Sequence, residues 1–113
     1  MSSGAVIMGG VMLACFAVVP MGIEGGVKNL VAEALAIVDA SGLAYQLGAM
    51  NTTIEGEPGE VIEVILGCHR RMLELAPRVL TSITIDERKG ATGRLTGKVK
   101  DVEEVLGKRL GRE

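Results

Sequence analysis

Aromatic side chains are nearly missing from this chain, which has one Phe, one Tyr and no Trp. Base-stacking surfaces need several such rings and an excess of cations, yet the formal net charge is −2. No nucleic-acid footprint is present. Metal-ligating residues are equally scarce: one His and two cysteines, Cys15 and Cys68, without CxxC spacing. That set excludes a Cys/His zinc cluster, and the two thiols are expected to be reduced in a cytoplasmic setting. The glycine-rich stretches at 22–26 and 90–97 lack GxGxxG and GxxxxGK[ST] spacing, so neither is a phosphate loop. Charge is absent from residues 1–23, which raises the question of export or a membrane span. Met12-Leu13-Ala14-Cys15 approximates a lipoprotein cleavage box, but no Lys or Arg precedes the apolar run as a signal peptide requires. Gly4, Gly9, Gly10 and Pro20 interrupt the run before it reaches spanning length. The expectation is a soluble strand, with residues 1–11 a flexible extension ahead of a single domain over 12–113.

What is present is aliphatic. Hydrophobic residues make up 48% of the 113 and charged ones 23%, a globular balance in which Val, Ile, Leu, Met and Ala must fill the core. Met12–Val19 is β-branched and apolar, and Pro20-Met21-Gly22 signals its end. Val27, Val31, Ala34, Leu35 and Val38 recur at helical spacing, and Gly42 supplies a left-handed C-cap. Tyr45–Met50 and Thr52–Glu55 are two short strands joined tightly near Asn51. Gly56-Glu57-Pro58-Gly59 opens a second helix, with Pro58 in its first turn and Glu57 and Glu60 at its positive end. Val61, Ile65, Cys68, Met72 and Leu75 form its apolar stripe, and Pro77 closes it. Arg78–Asp86 alternates cleanly, with Val79, Thr81, Ile83 and Ile85 on one face and Leu80, Ser82, Thr84 and Asp86 on the other. Lys98 to Leu110 is a short third helix, after a loop from Glu87 to Gly97.

The order strand, helix, strand, strand, helix, strand predicts an α+β ferredoxin-like βαββαβ sandwich. Its four-stranded antiparallel sheet carries two helices on one face, with a short C-terminal helix added. The other face must then meet water, a ligand or another subunit. Alternation predicts that it displays Leu13, Cys15, Ala17 and Val19 from the first strand, and Leu80, Ser82 and Thr84 from the last. From the middle strands it displays Gln46, Met50, Thr53 and Glu55, with Ile83 and Ile85 going under the helices. Such a mixture is too apolar to lie in water, so a subunit contact is expected with a polar pocket at its margin. Thr52, Thr53, Ser82 and Thr84 also fit as ordinary β-formers. Glu55 is more telling, because a carboxylate on a partly buried face is costly unless paired. A cationic ligand would serve, as would Arg88 or Lys89. His69 is read as packed or solvated rather than catalytic, since no nucleophile is placed beside it.

Several segments together resemble a known family: Phe16-x-Val18-x-Pro20-x-Gly22, Tyr45-x-Leu47-x-x-Met50-x-Thr52-Thr53-Ile54-Glu55-Gly56, Cys68-His69, Arg78-Val79-x-Thr81, Ile85-Asp86-x-Arg88 and Lys98-Val99. Over about residues 12–105 the chain is similar to the single-domain thiamine-binding proteins of the YkoF-like superfamily. The resemblance implies a ferredoxin-like domain that pairs sheet to sheet as a homodimer or as a homotetramer, a dimer of dimers. It also implies a site for thiamine or its hydroxymethylpyrimidine part, with no catalytic residue, metal or cofactor. Carried over by position, Thr52, Thr53 and Glu55 line that pocket and Ser82 and Thr84 face them; Gln46 and Met50 join from the alternation. Three positions depart from the family pattern. Cys15 stands where an acidic residue is frequent, Ala17 where Ser or Thr is, and Asn51 where Gly is usual. One charge-assisted hydrogen bond contributes roughly 1.5–3 kcal/mol, so these departures bear on affinity.

Three functions compete. The first is a non-catalytic cytosolic binding protein for thiamine or hydroxymethylpyrimidine. The second is a ligand-free regulatory or assembly module that uses the sheet face only for subunit contacts. The third is an acylphosphatase-type hydrolase, for which Arg88 and Asn51 are the only loose candidates and do not evidently converge.

Overall fold

The computed structural model describes residues 11–89, together with 100, 102 and 104–107. The predicted extension over 1–11, all but its last residue, lies outside them, as does the predicted loop beyond Lys89. Of the predicted third helix, Lys100, Val102 and Glu104 to Leu106 are described, and they are helical.

Six elements follow in the predicted order: β1 (Met12–Met21), α1 (Lys28–Ala40), β2 (Ala44–Leu47), β3 (Thr52–Gly56), α2 (Pro58–Leu75) and β4 (Arg78–Glu87). They form one antiparallel sheet in the order β2-β3-β1-β4, the ferredoxin-like arrangement. Both helices pack on one face, because each carries a single apolar stripe. From α2 that stripe is Val61, Ile65, Cys68 and Met72, with Leu75 at its predicted end exposed; from α1 it is Ala34 and Val38, with Val27 and Val31 exposed. Met12, Ala14, Phe16 and Ile54 meet them from the sheet. Ile54 and Ile65 are 0% exposed, and burying each such side chain contributes about 1.5–3 kcal/mol.

The helix ends are set by local chemistry. Gly42 takes φ +78 just after α1, a conformation costly for a residue with a Cβ. Ser41 Oγ donates to the Val38 carbonyl at 2.6 Å and accepts from the Leu43 amide at 3.1 Å. At the start of α2, the Glu57 carboxylate accepts from the Glu60 amide at 2.9 Å. Pro58 occupies the first turn, where its missing N–H costs nothing. On the outer surface Arg71 reaches Glu33 of α1 at 3.2 Å and Glu74 at 2.7 Å. These exposed ion pairs orient the helices more than they stabilise them.

Other details of the sheet differ from the expectation. Pro20 does not end β1: pairing with β4 continues to Met21↔Arg78, whereas pairing with β3 stops at Phe16↔Thr52. Pro20 therefore sits where β1 has a neighbour on one side only, so its missing amide breaks no ladder. The second strand is Ala44–Leu47 rather than Tyr45–Met50, because the Gly48 amide donates to the Asn51 carbonyl at 2.8 Å and closes a turn. Met50 belongs to that turn and is 88% exposed. Thr52 faces the helices, not the open side: it pairs with Phe16 and Leu47 and is buried. Finally, Ile83 and Ile85 share the helix-side parity of Phe16 and Ala14, their partners, yet remain 40% and 48% exposed.

Candidate functional site on the open sheet face

Directly paired residues in an antiparallel sheet project to the same side, so the register lays out the open face as rows across the strands. One row runs Gln46, Thr53, Cys15, Thr84, crossing all four strands through the pairs Gln46↔Thr53, Cys15↔Thr53 and Cys15↔Thr84. The next runs Ala44, Glu55, Leu13, Asp86. On the other side β1 and β4 alone continue, with Ala17 beside Ser82 and then Val19 beside Leu80. Neighbouring strands lie about 4.8 Å apart and successive rows about 6.8 Å apart. The face therefore has a wide polar end and a narrow aliphatic end.

Of the predicted site residues, the fold brings Gln46, Thr53 and Thr84 into one row, with Glu55 one row away and Ser82 one row away in the opposite direction. It does not bring Thr52, which lies under the helices, or Met50, which lies in the turn. Gln46, Thr53 and Glu55 are half-buried, whereas Ser82 and Thr84 are exposed. Thr53 and Glu55 lie on the interior strand β3, whereas Ser82 and Thr84 lie on the edge strand β4.

Two further residues belong to this surface. Cys15 occupies the centre of the four-strand row, flanked by two hydroxyls. Asp86 lies in the Glu55 row, two strands or about 10 Å from it. The signal for Asp86 was already in the sequence, because it shares parity with Ser82 and Thr84 along β4. Chemically, the wide end offers hydroxyls and an amide that both donate and accept, two carboxylates that accept, and the apolar Leu13 between them, with Ala17 toward the narrow end. This suits a flat, polar, cationic ligand.

Among the described residues, no histidine lies on this face. The single histidine, His69, lies across the sheet, where its Nδ1 makes a 2.7 Å hydrogen bond with Thr81 Oγ1 of β4. Cys68 is likewise on the helix side, fully buried with its Sγ 3.3 Å from the Ala34 carbonyl. Burial pushes its thiol up to about 11, so it stays neutral and inert. Both cysteines are free thiols on opposite sides of the sheet. Among the described residues, no three His, Cys, Asp or Glu side chains converge as a metal site. No helix among them is long and apolar enough to cross a membrane.

Comparison with known proteins converges on one family. The family model described as thiamine-binding protein matches residues 14–103. A UPF0045 protein of Mycobacterium bovis is 41% identical over 96 residues, covering 84% of this chain and 94% of that protein. Among solved structures, a domain of unknown function from Bacillus cereus aligns with TM-score 0.74 and 31% identity, covering 82% of this chain and 90% of that one. A Thermotoga maritima protein proposed to act in thiamine biosynthesis or salvage aligns with TM-score 0.69 and 26% identity, covering 81% of this chain and 98% of that one.

Proposed function

This chain belongs to the thiamine-binding protein family, and from that premise we propose that it is a non-catalytic cytoplasmic binding protein for thiamine or its hydroxymethylpyrimidine moiety. The observation that carries the reading is the Gln46–Thr53–Cys15–Thr84 row with Glu55 beside it. An aminopyrimidine presents a donor amino group and acceptor ring nitrogens, which the Thr53 and Thr84 hydroxyls and the Gln46 amide complement. Glu55 opposes the ligand's positive charge, and Leu13 and Ala17 lie against its rings. Ser82 borders the pocket toward the narrow end. There Val19 and Leu80, 46% and 52% exposed, pack against the sheet of another copy, giving a homodimer or a dimer of dimers with the ligand at the margin of the contact.

Calorimetry with thiamine and with hydroxymethylpyrimidine, on the native chain and on Glu55→Gln, tests this. The substitution removes the charge from one hydrogen bond, which contributes about 1.5–3 kcal/mol. Affinity should fall about ten- to a hundredfold. Saturable binding that ignores Glu55 rejects the site, whereas no saturable binding of either compound rejects the ligand. The latter result favours the second reading, an assembly module, which the aliphatic lane of Leu13, Cys15, Ala17, Val19 and Leu80 supports.

A further inference from the structure

On the helix side of the sheet the cover over β4 is incomplete. Ile83 and Ile85 stand opposite Phe16 and Ala14 of β1, yet they are 40% and 48% exposed where Phe16 and Ala14 are 4% and 1%. α2 packs mainly on β1 and meets β4 along one flank, where His69 Nδ1 lies 2.7 Å from Thr81 Oγ1. Helical spacing puts Ile62, Leu66 and Leu73 on the same flank as His69, and Leu73 is 51% exposed. Strand and flank together make an aliphatic ledge, open on its outer side because β4 is a sheet edge.

A second uncovered aliphatic surface lies further along the same chain. Lys100, Val102 and Glu104 to Leu106 are helical, and Gly107 follows them at φ +71, the conformation that ends a helix. Val102 and Leu106, four residues apart, share one side of this helix with Val105 on its flank. Lys100 and Glu104 share the opposite side. Val102, Leu106 and Val105 are 48%, 53% and 86% exposed. An aliphatic stripe backed by charges is the side of a helix that packs.

We propose that the ledge is a docking surface whose occupant is this helix of the same chain, a strap that closes over β4 with Val102 and Leu106 turned onto Ile83 and Ile85. The chemistry matches, because docking buries aliphatic side chains on both partners and leaves Lys100 and Glu104 in water. The spacing matches as well. Val102 to Leu106 is a rise of about 6 Å along a helix, and Ile83 to Ile85 is about 6.8 Å along a strand. The connection reaches: ten residues, 90–99, separate Lys89 from Lys100, and a chain of that length spans roughly 35 Å when extended. β4 itself is about 34 Å long. A short tether also sets an effective concentration on the order of millimolar, so the helix of the same chain prevails over that of a second copy.

Thr84 lies between the two isoleucines and points to the other face of the sheet. The closed strap therefore stiffens, from behind, the part of β4 that presents Thr84 to the candidate site. The relevance of that stiffening to a ligand rests on the open-face reading above, whereas the docking does not.

Thiol labelling of the full chain in a Cys15→Ala background tests the docking. Cys68 is fully buried, so its silence toward the reagent reports that each variant is folded. Leu106→Cys should react about tenfold more slowly than Glu104→Cys, and a factor of ten corresponds to about 1.4 kcal/mol of docking. Adding Ile83→Thr/Ile85→Thr, which keeps β-branched residues in the strand, should abolish the difference. A short bismaleimide added to Ile85→Cys/Leu106→Cys should join the two positions within one chain. Leu106→Lys leaves the β4 sequence untouched and should speed amide exchange across Ser82 to Ile85 several-fold. Equal labelling rates at 104 and 106, protection that survives the ledge substitutions, or a covalent dimer as the main cross-linked product overturns the proposal. Exchange unaltered by Leu106→Lys overturns the stiffening. None of these readouts uses a ligand, so the Glu55→Gln titration succeeds or fails separately.

Discussion

The two faces of this sheet are made by the same strands and differ sharply in burial. Ala14, Phe16 and Ile54 are 1%, 4% and 0% exposed beneath the helices, while Leu13, Cys15, Thr53 and Glu55, one residue away in each case, look outward. The core is therefore built from one parity of each strand, and the proposed recognition surface from the other. Because β structure alternates strictly, a one-residue slip would exchange the two roles everywhere at once. The helices prevent such a slip by demanding an aliphatic surface.

The sharpest way to separate the faces uses the cysteines. Cys15 is half-buried on the open face and Cys68 is fully buried with a raised thiol pKa. Under native conditions near pH 8, a thiol reagent should modify one cysteine per chain within the time needed to unfold it, and the second only in denaturant; mass spectrometry of digested peptides checks which. The same shift has a pH consequence. The Cys68 thiol ionises near 9 when unfolded and near about 11 when folded. Its contribution to stability is complete below the unfolded value and is lost as pH climbs through that window. Cys68→Ala should remove that part of the pH dependence, measured by denaturant unfolding.

Next in size is Ile54→Ala, which leaves a cavity in the core and should cost about 2–5 kcal/mol by urea unfolding. Its folded fraction should bind ligand at unchanged stoichiometry. A finer contrast pairs two threonines of one strand. Thr81→Val removes the partner of His69 and should cost about 1 kcal/mol of stability without altering ligand affinity. Thr84→Val lies on the other face and should do the reverse, lowering affinity several-fold while leaving the unfolding midpoint in place. If both variants changed both quantities, the separation of the faces would fail. The smallest effect concerns Tyr45, whose hydroxyl donates to Asp39 Oδ1 at 2.9 Å. That bond and the adjacent charge push the phenol pKa up, so stability is retained below its unfolded pKa near 10 and declines as pH rises through the folded value. Asp39→Asn should bring the ionisation to lower pH. Ultraviolet titration reads it cleanly because the chain has one Tyr and no Trp.

How much of this was legible beforehand depended on whether local pattern or neighbours decided the matter. The α2 stripe and the parity of β4 were legible because periodicity alone specifies them. The end of β1 was not, since whether proline is tolerated depends on which strands flank it, and that is a property of the assembled sheet. Met50 misled because the turn bond from Gly48 to Asn51 ends β2 three residues earlier than the apolar pattern suggests. Thr52 misled because a hydroxyl next to another hydroxyl invites both to be assigned to one site, although adjacent strand residues always point apart. Asp86 was legible by parity but looked like the end of a strand, and its place beside Leu13 and Glu55 emerged only with the register.

The halt of β3 pairing at Phe16 gives the sheet an uneven outline, broad where Gln46 and Thr84 lie and tapering to a two-strand tongue at Val19 and Leu80. Such a shape has a directional sense that a rectangle lacks. On the broad part, odd-numbered side chains of β1 and β3 can be altered while their even-numbered neighbours keep the core. Variation of that outer surface is thereby insulated from variation in whether the chain folds.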